Sequence, residues 1–182
     1  MDQGDSKNTF TLRRKAILEK IDINRLAKTL GQVLVQRNLK CVVAESCTGG
    51  SLAAAITDIP GCSAWFDRGF VTYSNKAKEE MLGVSSQVIA LEGAVSEATV
   101  RAMAIGAIQN SEAQVSIAIT GIAGPGGGGP EKPVGTVWIA SALDLKSVTA
   151  QCYVFKGDRA AIRQQAVQFA LDGLLALILN KE

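Results

Sequence analysis

The sequence predicts an α/β protein, a three-layer α/β/α sandwich around a mixed sheet. Three observations predict it. Apolar runs of strand length, at 41–44 and 115–119, each break off at a polar turn that carries glycine. Stretches with apolar residues every three or four positions alternate with them. Near the C-terminus the apolar runs 134–143 and 148–155 are separated by a gap too short for a helix. They form an antiparallel hairpin, which makes the sheet mixed.

The 182 residues and 47% apolar content fit one domain with one core, assigned to 21–182 behind a flexible N-terminal arm at 1–20. The arm is polar and basic, with a short helix as the alternative at 12–19. Asp22 caps a helix whose apolar positions are Ile23, Leu26, Ala27, Leu30 and Leu34, and Asn38 stops it. The run 41–44 is a buried strand and 51–57 a small-residue helix. Pro60-Gly61 is a turn, and 65–73 is a strand whose Asp67 and Arg68 mark an exposed end or an edge. Ser74-Asn75 supplies a cap for a helix at 76–82 closed by Gly83. Ser85 or Ser86 caps a further turn, and Ser96 opens a helix to about residue 110. The run 115–119 is a second buried strand. Six glycines within 121–129 then make either a ligand-wrapping loop or a flexible linker, and the early return of strand pattern disfavours the linker. Asp158 caps the last helix, with Ile162, Ala166, Phe169, Ala170, Leu174, Leu177 and Ile178 as its apolar stripe.

Composition excludes several chemistries. The chain has no histidine, so a Ser-His-Asp triad, a Cys-His dyad and histidine-held metal are all ruled out. A second copy of the chain could not supply one. The net charge of +2 gives no argument for nucleic acid or a membrane surface. The four cysteines, 41, 47, 62 and 152, lack paired metal-site spacing and fit a reducing cytosol. No secretory signal and no apolar stretch of about 18 residues is present. No cofactor and no metal are expected. The expected partners are a small-molecule substrate and further copies of the chain, with neither nucleic acid nor membrane.

Three polar clusters end strands or open helices: Ser46-Cys-Thr-Gly-Gly, Tyr73-Ser-Asn-Lys-Ala-Lys and Thr120-Gly-Ile-Ala-Gly. Ligands in such sheets bind outside strand ends, so the clusters can share one cleft. Ser46 is the candidate nucleophile and Lys78 the candidate base. A lysine of pKa about 10.4 is neutral in roughly one molecule in 2,500 at pH 7. To act as a base it must fall to about 7–8, on the order of 4 kcal/mol. Burial, repulsion from Lys76, Arg159 or Arg163, and a helix N-terminus capped by Asn75 are the available causes. The alternative for Lys78 is a solvated helix lysine. Tyr73 either relays a proton, binds the substrate or is a rim tyrosine. Cys47 is the rival nucleophile, needing less activation than serine. Arg159 and Arg163 lie in the first turns of the last helix, where a cation opposes the dipole. They suit either a solvated face or an anionic ligand.

Four motifs, Ala44-Glu-Ser-Cys-Thr-Gly-Gly, Tyr73-Ser-Asn-Lys-Ala-Lys, Thr120-Gly-Ile-Ala-Gly-Pro and Lys132-Pro-Val-Gly-Thr-Val-Trp, resemble the C-terminal domain of the competence/damage-inducible CinA proteins. The resemblance runs over about residues 26–179, in matching order and spacing. It implies a CinA C-terminal-domain-like fold. It also implies nicotinamide-nucleotide amidase activity, the deamidation of nicotinamide mononucleotide to nicotinate mononucleotide and ammonia in cytoplasmic pyridine-nucleotide (NAD) salvage. It places the catalytic serine on Ser46, the lysine on Lys78 and the tyrosine on Tyr73. It places the motif threonine on Thr120 and the phosphate-side arginine on Arg159 or Arg163, and the full expected substrate-binding set is Thr48, Gly49, Gly50, Asn75, Thr120, Gly121, Gly124, Arg159 and Arg163. Two departures stand out. The larger N-terminal domain of many relatives, linked to pyrophosphate hydrolysis, has only a short arm in its place here, so that activity is not expected. Gly126 also stands where relatives often carry an acidic residue. The competing expectation is an inactive nucleotide-binding or competence-linked interaction protein.

Overall fold

The structure is a computed structural model and describes residues 22–180. The arm at 1–20 and its proposed helix at 12–19 lie outside the described residues. Helix α1 (Ile23–Gln36) leads to β1 (Cys41–Glu45) and α2 (Ser51–Thr57). A 3-10 turn (Cys62–Ala64) precedes β2 (Phe66–Val71). Three helices follow, α3 (Asn75–Leu82), α4 (Ser86–Glu92) and α5 (Glu97–Gln109). The chain then runs through β3 (Val115–Gly121), β4 (Thr136–Ala142), β5 (Val148–Val154) and α6 (Arg159–Leu179).

Most helix ends follow their caps. Asp22, Ser85, Ser96 and Asp158 each accept a first-turn N–H through the side chain. Asn38 ends α1 with φ of 53°, a left-handed position that asparagine tolerates. For α3 the cap is Ser74, whose hydroxyl accepts from Ala77 N at 3.0 Å. Asn75 is therefore the first helical residue rather than the cap, and Lys78 sits one position deeper than a cap at Asn75 would put it. The edge strand β2 also starts later and stops earlier than its pattern. Trp65 N donates to Cys62 O, which draws Trp65 into the 3-10 turn and buries its indole against Gly31. Tyr73 lies two residues past the strand end.

The sheet order is β2–β1–β3–β4–β5, with β1 parallel to β2 and β3 and the last two pairs antiparallel. The expected mixed sheet and its C-terminal hairpin are thus present. The crossovers β1→β2 and β2→β3 run in opposite directions across the sheet, and crossovers of one hand then put their helices on opposite faces. Helices α1, α2 and α6 cover Val43, Ile117, Ile119 and Ile139. Helices α3, α4 and α5 cover Val42, Ala44, Ala118, Ala140 and Ala142. The alanine face lets α5 lie close, and Ser116 Oγ on β3 donates to Ala104 O at 2.8 Å. The chain leaves the C-terminal ends of β1 and β3 toward opposite edges, so the crevice between them is the topological switch point where such sheets bind ligands.

Close packing fixes one glycine in this layer. A Cβ at Gly106 on α5 would collide with the Leu82 carbonyl at the end of α3. Gly106→Ala is therefore expected to lose about 1–3 kcal/mol of stability, read from urea unfolding midpoints.

Candidate active site

The first polar side chain beyond β1 is Ser46. Its N–H donates to Ile119 O on β3 at 3.0 Å, and its carbonyl accepts from Gly49 N at 3.0 Å. The chain then reverses through Gly49 (φ 57°) and Gly50 (φ 95°), conformations that favour glycine. Gly50 is the N-cap of α2 and brings no capping side chain. Glu45, fully buried at the end of β1, takes that place. Its Oε2 accepts from Gly50 N and Leu52 N, both at 3.0 Å, and its Oε1 from Ala53 N at 2.8 Å.

Lys78, the candidate base, comes from the other face of the sheet. Glu45 O accepts from Thr72 N at 2.7 Å, which holds the segment after β2 beside β1. Thr72 O in turn accepts from Lys78 Nζ at 2.9 Å, and the same Nζ lies 3.1 Å from Ser46 Oγ. Lys78 is 1% exposed, the largest side chain buried to that degree. Burial pushes its pKa below the ordinary 10.5, opposed by the Cys47 thiolate. The opposition is absent at neutral pH, because burial pushes the Cys47 thiol up to about 11 and keeps it protonated. Of the three causes available in the sequence, burial is the one at work. Lys76 instead pairs with Glu80 at 3.4 Å on the exposed face of α3. The solvated-lysine alternative does not describe Lys78. Cys47 is a buried thiol, not an activated one.

The remaining candidates surround this pair unevenly. Tyr73 is 61% exposed, and its hydroxyl accepts from Arg159 Nη2 at 3.1 Å. Nζ reaches Oγ directly, and Tyr73 does not stand between them. Arg159 also donates to Gly124 O at 2.8 Å, so it joins the glycine loop to the segment after β2. Arg163 Nη2 donates to Thr48 O and Ser51 Oγ, both at 2.7 Å. Thr48 is fully buried, and among the described residues its hydroxyl has no partner. Thr120 Oγ1 donates to Ala94 O at 2.7 Å, which ties the end of β3 to the α4–α5 junction. Gly121 closes β3 against Val137, where a Cβ would lie 2.7 Å from a Val137 methyl. Asn75 is exposed at the start of α3. The glycine loop is tied into the fold rather than a linker: Lys132 Nζ donates to Val95 O at 2.9 Å and Glu92 O at 3.2 Å. Among the described residues no cluster of Cys, Asp and Glu is arranged to hold a metal.

Sequence reasoning missed Glu45, Thr72 and Lys132. A signal for Glu45 was present: a helix opened by two glycines lacks its own cap, and a carboxylate stands just before them.

A buried amine in contact with a hydroxyl at a strand end is the arrangement the quoted motifs encode, and residues 23–178 match the CinA C-terminal domain. The chain belongs to that family. It is 50% identical over 153 residues to the nicotinamide-nucleotide amidohydrolase PncC of Escherichia coli K12, covering 84% of this chain and 93% of that one. A PncC of Pseudomonas putida is 50% identical over 155 residues, 85% of this chain and 96% of that one. The crystal structure of the competence/damage inducible protein CihA from Agrobacterium tumefaciens superposes with a TM-score of 0.83 at 45% identity, covering 86% of this chain and 96% of that one. The family fold expected from the motifs is therefore the observed one.

The depressed Lys78 pKa has a signed consequence for stability. The unfolded lysine titrates near 10.5 and the folded one lower, so between those values the unfolded chain binds more protons. Stability contributed by this group rises as pH climbs through that window. Urea unfolding of wild type and Lys78→Met from pH 7 to 10 should show the wild type gaining on the variant.

Proposed function

We propose that this chain hydrolyses the carboxamide of nicotinamide mononucleotide to nicotinate mononucleotide and ammonia, in cytoplasmic NAD salvage. The observation that carries this reading is the buried Lys78 amine 3.1 Å from Ser46 Oγ. The names of the PncC relatives supply the substrate. The free cysteines, and the lack among described residues of a helix long and apolar enough to cross a membrane, agree with the cytoplasm.

In the proposed mechanism neutral Lys78 takes the Ser46 hydroxyl proton as Oγ attacks the carboxamide carbon. The oxyanion is held by the N–H groups of Cys47 and Thr48, which no described carbonyl accepts. Protonated Lys78 gives its proton to the amide nitrogen, the C–N bond breaks, and ammonia leaves an ester on Ser46. Lys78 then takes a proton from water, hydroxide adds to the ester carbon, and the collapse returns the proton to Ser46. The Thr72 carbonyl steadies Nζ in both charge states. Arg159 is exposed at the start of α6, where the helix N-terminus also favours an anion, and is the proposed phosphate ligand. Tyr73 shapes the same rim.

Ammonia release from nicotinamide mononucleotide tests this directly. Ser46→Ala should lose at least about a thousandfold in kcat, and Cys47→Ala, which keeps its backbone N–H, should stay within about threefold. A dead Cys47→Ala beside an active Ser46→Ala would reverse the assignment. The wild-type kcat/KM should rise with pH along an ionisation below the ordinary lysine range.

The Arg159 assignment predicts a separate split. Arg159→Ala should raise KM for the nucleotide about tenfold or more while leaving the phosphate-free riboside little changed. Equal effects on both substrates would remove Arg159 from the phosphate site.

A further inference from the structure

Two ionic side chains grip the turn that carries Ser46, and neither is hydrogen-bonded to the Lys78 amine. Glu45 holds the helix side, with the N–H groups of the N-cap Gly50 and of Leu52 and Ala53 in the first turn of α2 on one buried carboxylate. Arg163 holds the turn itself. Both hydrogens of its Nη2 are spent, on Thr48 O and Ser51 Oγ at 2.7 Å each. Its Nε is buried without a partner among the described residues, and Nη2 lies under Gly49, 3.7 Å from where a Cβ would stand.

We propose that Glu45 and Arg163 are positioning residues for the Ser46 nucleophile, and that Arg163 acts on the turn rather than on the substrate phosphate. The proposal rests on the hydrolase reading above. The turn needs such support. Ser46 N–H to Ile119 O pins its strand side only. On the helix side the N-cap is a glycine, and two successive left-handed glycines have no side chains to hold their conformation. Glu45 supplies an acceptor where the helix has only donors, and Arg163 adds a charged donor to the Thr48 carbonyl, which also accepts from Ser51 N at 3.2 Å and Ser51 Oγ at 2.8 Å. The two grips fix the direction of Ser46 Oγ and of the N–H groups at 47 and 48. Displacement of a reacting group by about 1 Å can cost on the order of a hundredfold in rate.

The test compares wild type, Glu45→Gln, Arg163→Gln and the milder Ser51→Ala, which removes one acceptor of Arg163 together with the hydroxyl's own hydrogen bond to Thr48 O at 2.8 Å. Ammonia release is measured from nicotinamide mononucleotide and from its phosphate-free riboside, with folding followed by circular dichroism and thermal melting. The glutamine at 45 keeps the shape but turns one acceptor into a donor facing N–H groups. Both glutamine variants should lower kcat about tenfold or more on both substrates, with KM for the nucleotide within about twofold of wild type. Ser51→Ala should show a smaller kcat loss, about threefold, with an unchanged melting temperature, and it decides the matter should both glutamine variants fail to fold. A kcat within about twofold of wild type in every folded variant overturns the proposal. So does activity that falls only in step with the folded fraction. A rise in KM for the nucleotide alone in Arg163→Gln would make Arg163 a phosphate ligand and overturn its assignment. A wild type that releases no ammonia would sink the hydrolase reading and this proposal with it, whereas unimpaired variants beside an active wild type sink the proposal alone.

Discussion

The free-energy cost of removing one amine from water organises this structure. Lys78 projects from α3 into the interior while its neighbours Lys76, Glu79 and Glu80 face solvent. A buried ammonium is disfavoured, and a buried amine still requires hydrogen-bond partners. The Thr72 carbonyl and the Ser46 hydroxyl are those partners. The same burial that lowers stability at neutral pH lowers the Lys78 pKa, the property that a general base needs.

The nucleophile side follows the same physics with the signs reversed. Glu45 buries a carboxylate, and the unpaired N–H groups at the start of α2 provide its donors. Through its backbone carbonyl the same residue anchors Thr72, which holds the amine. Ser46 and Lys78 are therefore braced from a single position at the end of β1. Arg163 adds a second brace from α6, which lies on the same face of the sheet as α2.

The sheet makes this convergence sterically feasible. Its two faces differ in bulk: β-branched side chains meet α1, α2 and α6, whereas alanines, with Val42, meet α3, α4 and α5. The thin face lets the helical layer that carries Lys78 lie close to the strand that ends at Ser46. Thr120 and Lys132 then bind the α4–α5 junction to the end of β3 and to the glycine loop, which steadies the far side of the crevice. Gly106, pressed against Leu82, sets the spacing between α3 and α5.

By itself the sequence determined the α/β class, the order of elements, most of the caps and the pairing of Ser46 with Lys78 as a candidate. Those features rest on residue spacing and on short-range hydrogen bonds, such as Asp22 to Asn24 and Asp158 to Ala161. The lack of histidine removed imidazole as a base before any geometry was known, leaving lysine, tyrosine, cysteine or a carboxylate. Tertiary structure alone decided that Lys78 is buried, that it touches Ser46 without Tyr73 between them, and that Arg163 grips the turn. Those contacts join positions 32 and 115 residues apart. Desolvation and long-range hydrogen bonding depend on which surfaces the packed layers bring together. A lysine in α3 reads the same in sequence whether it faces water or the serine, and only the packed helix settles which.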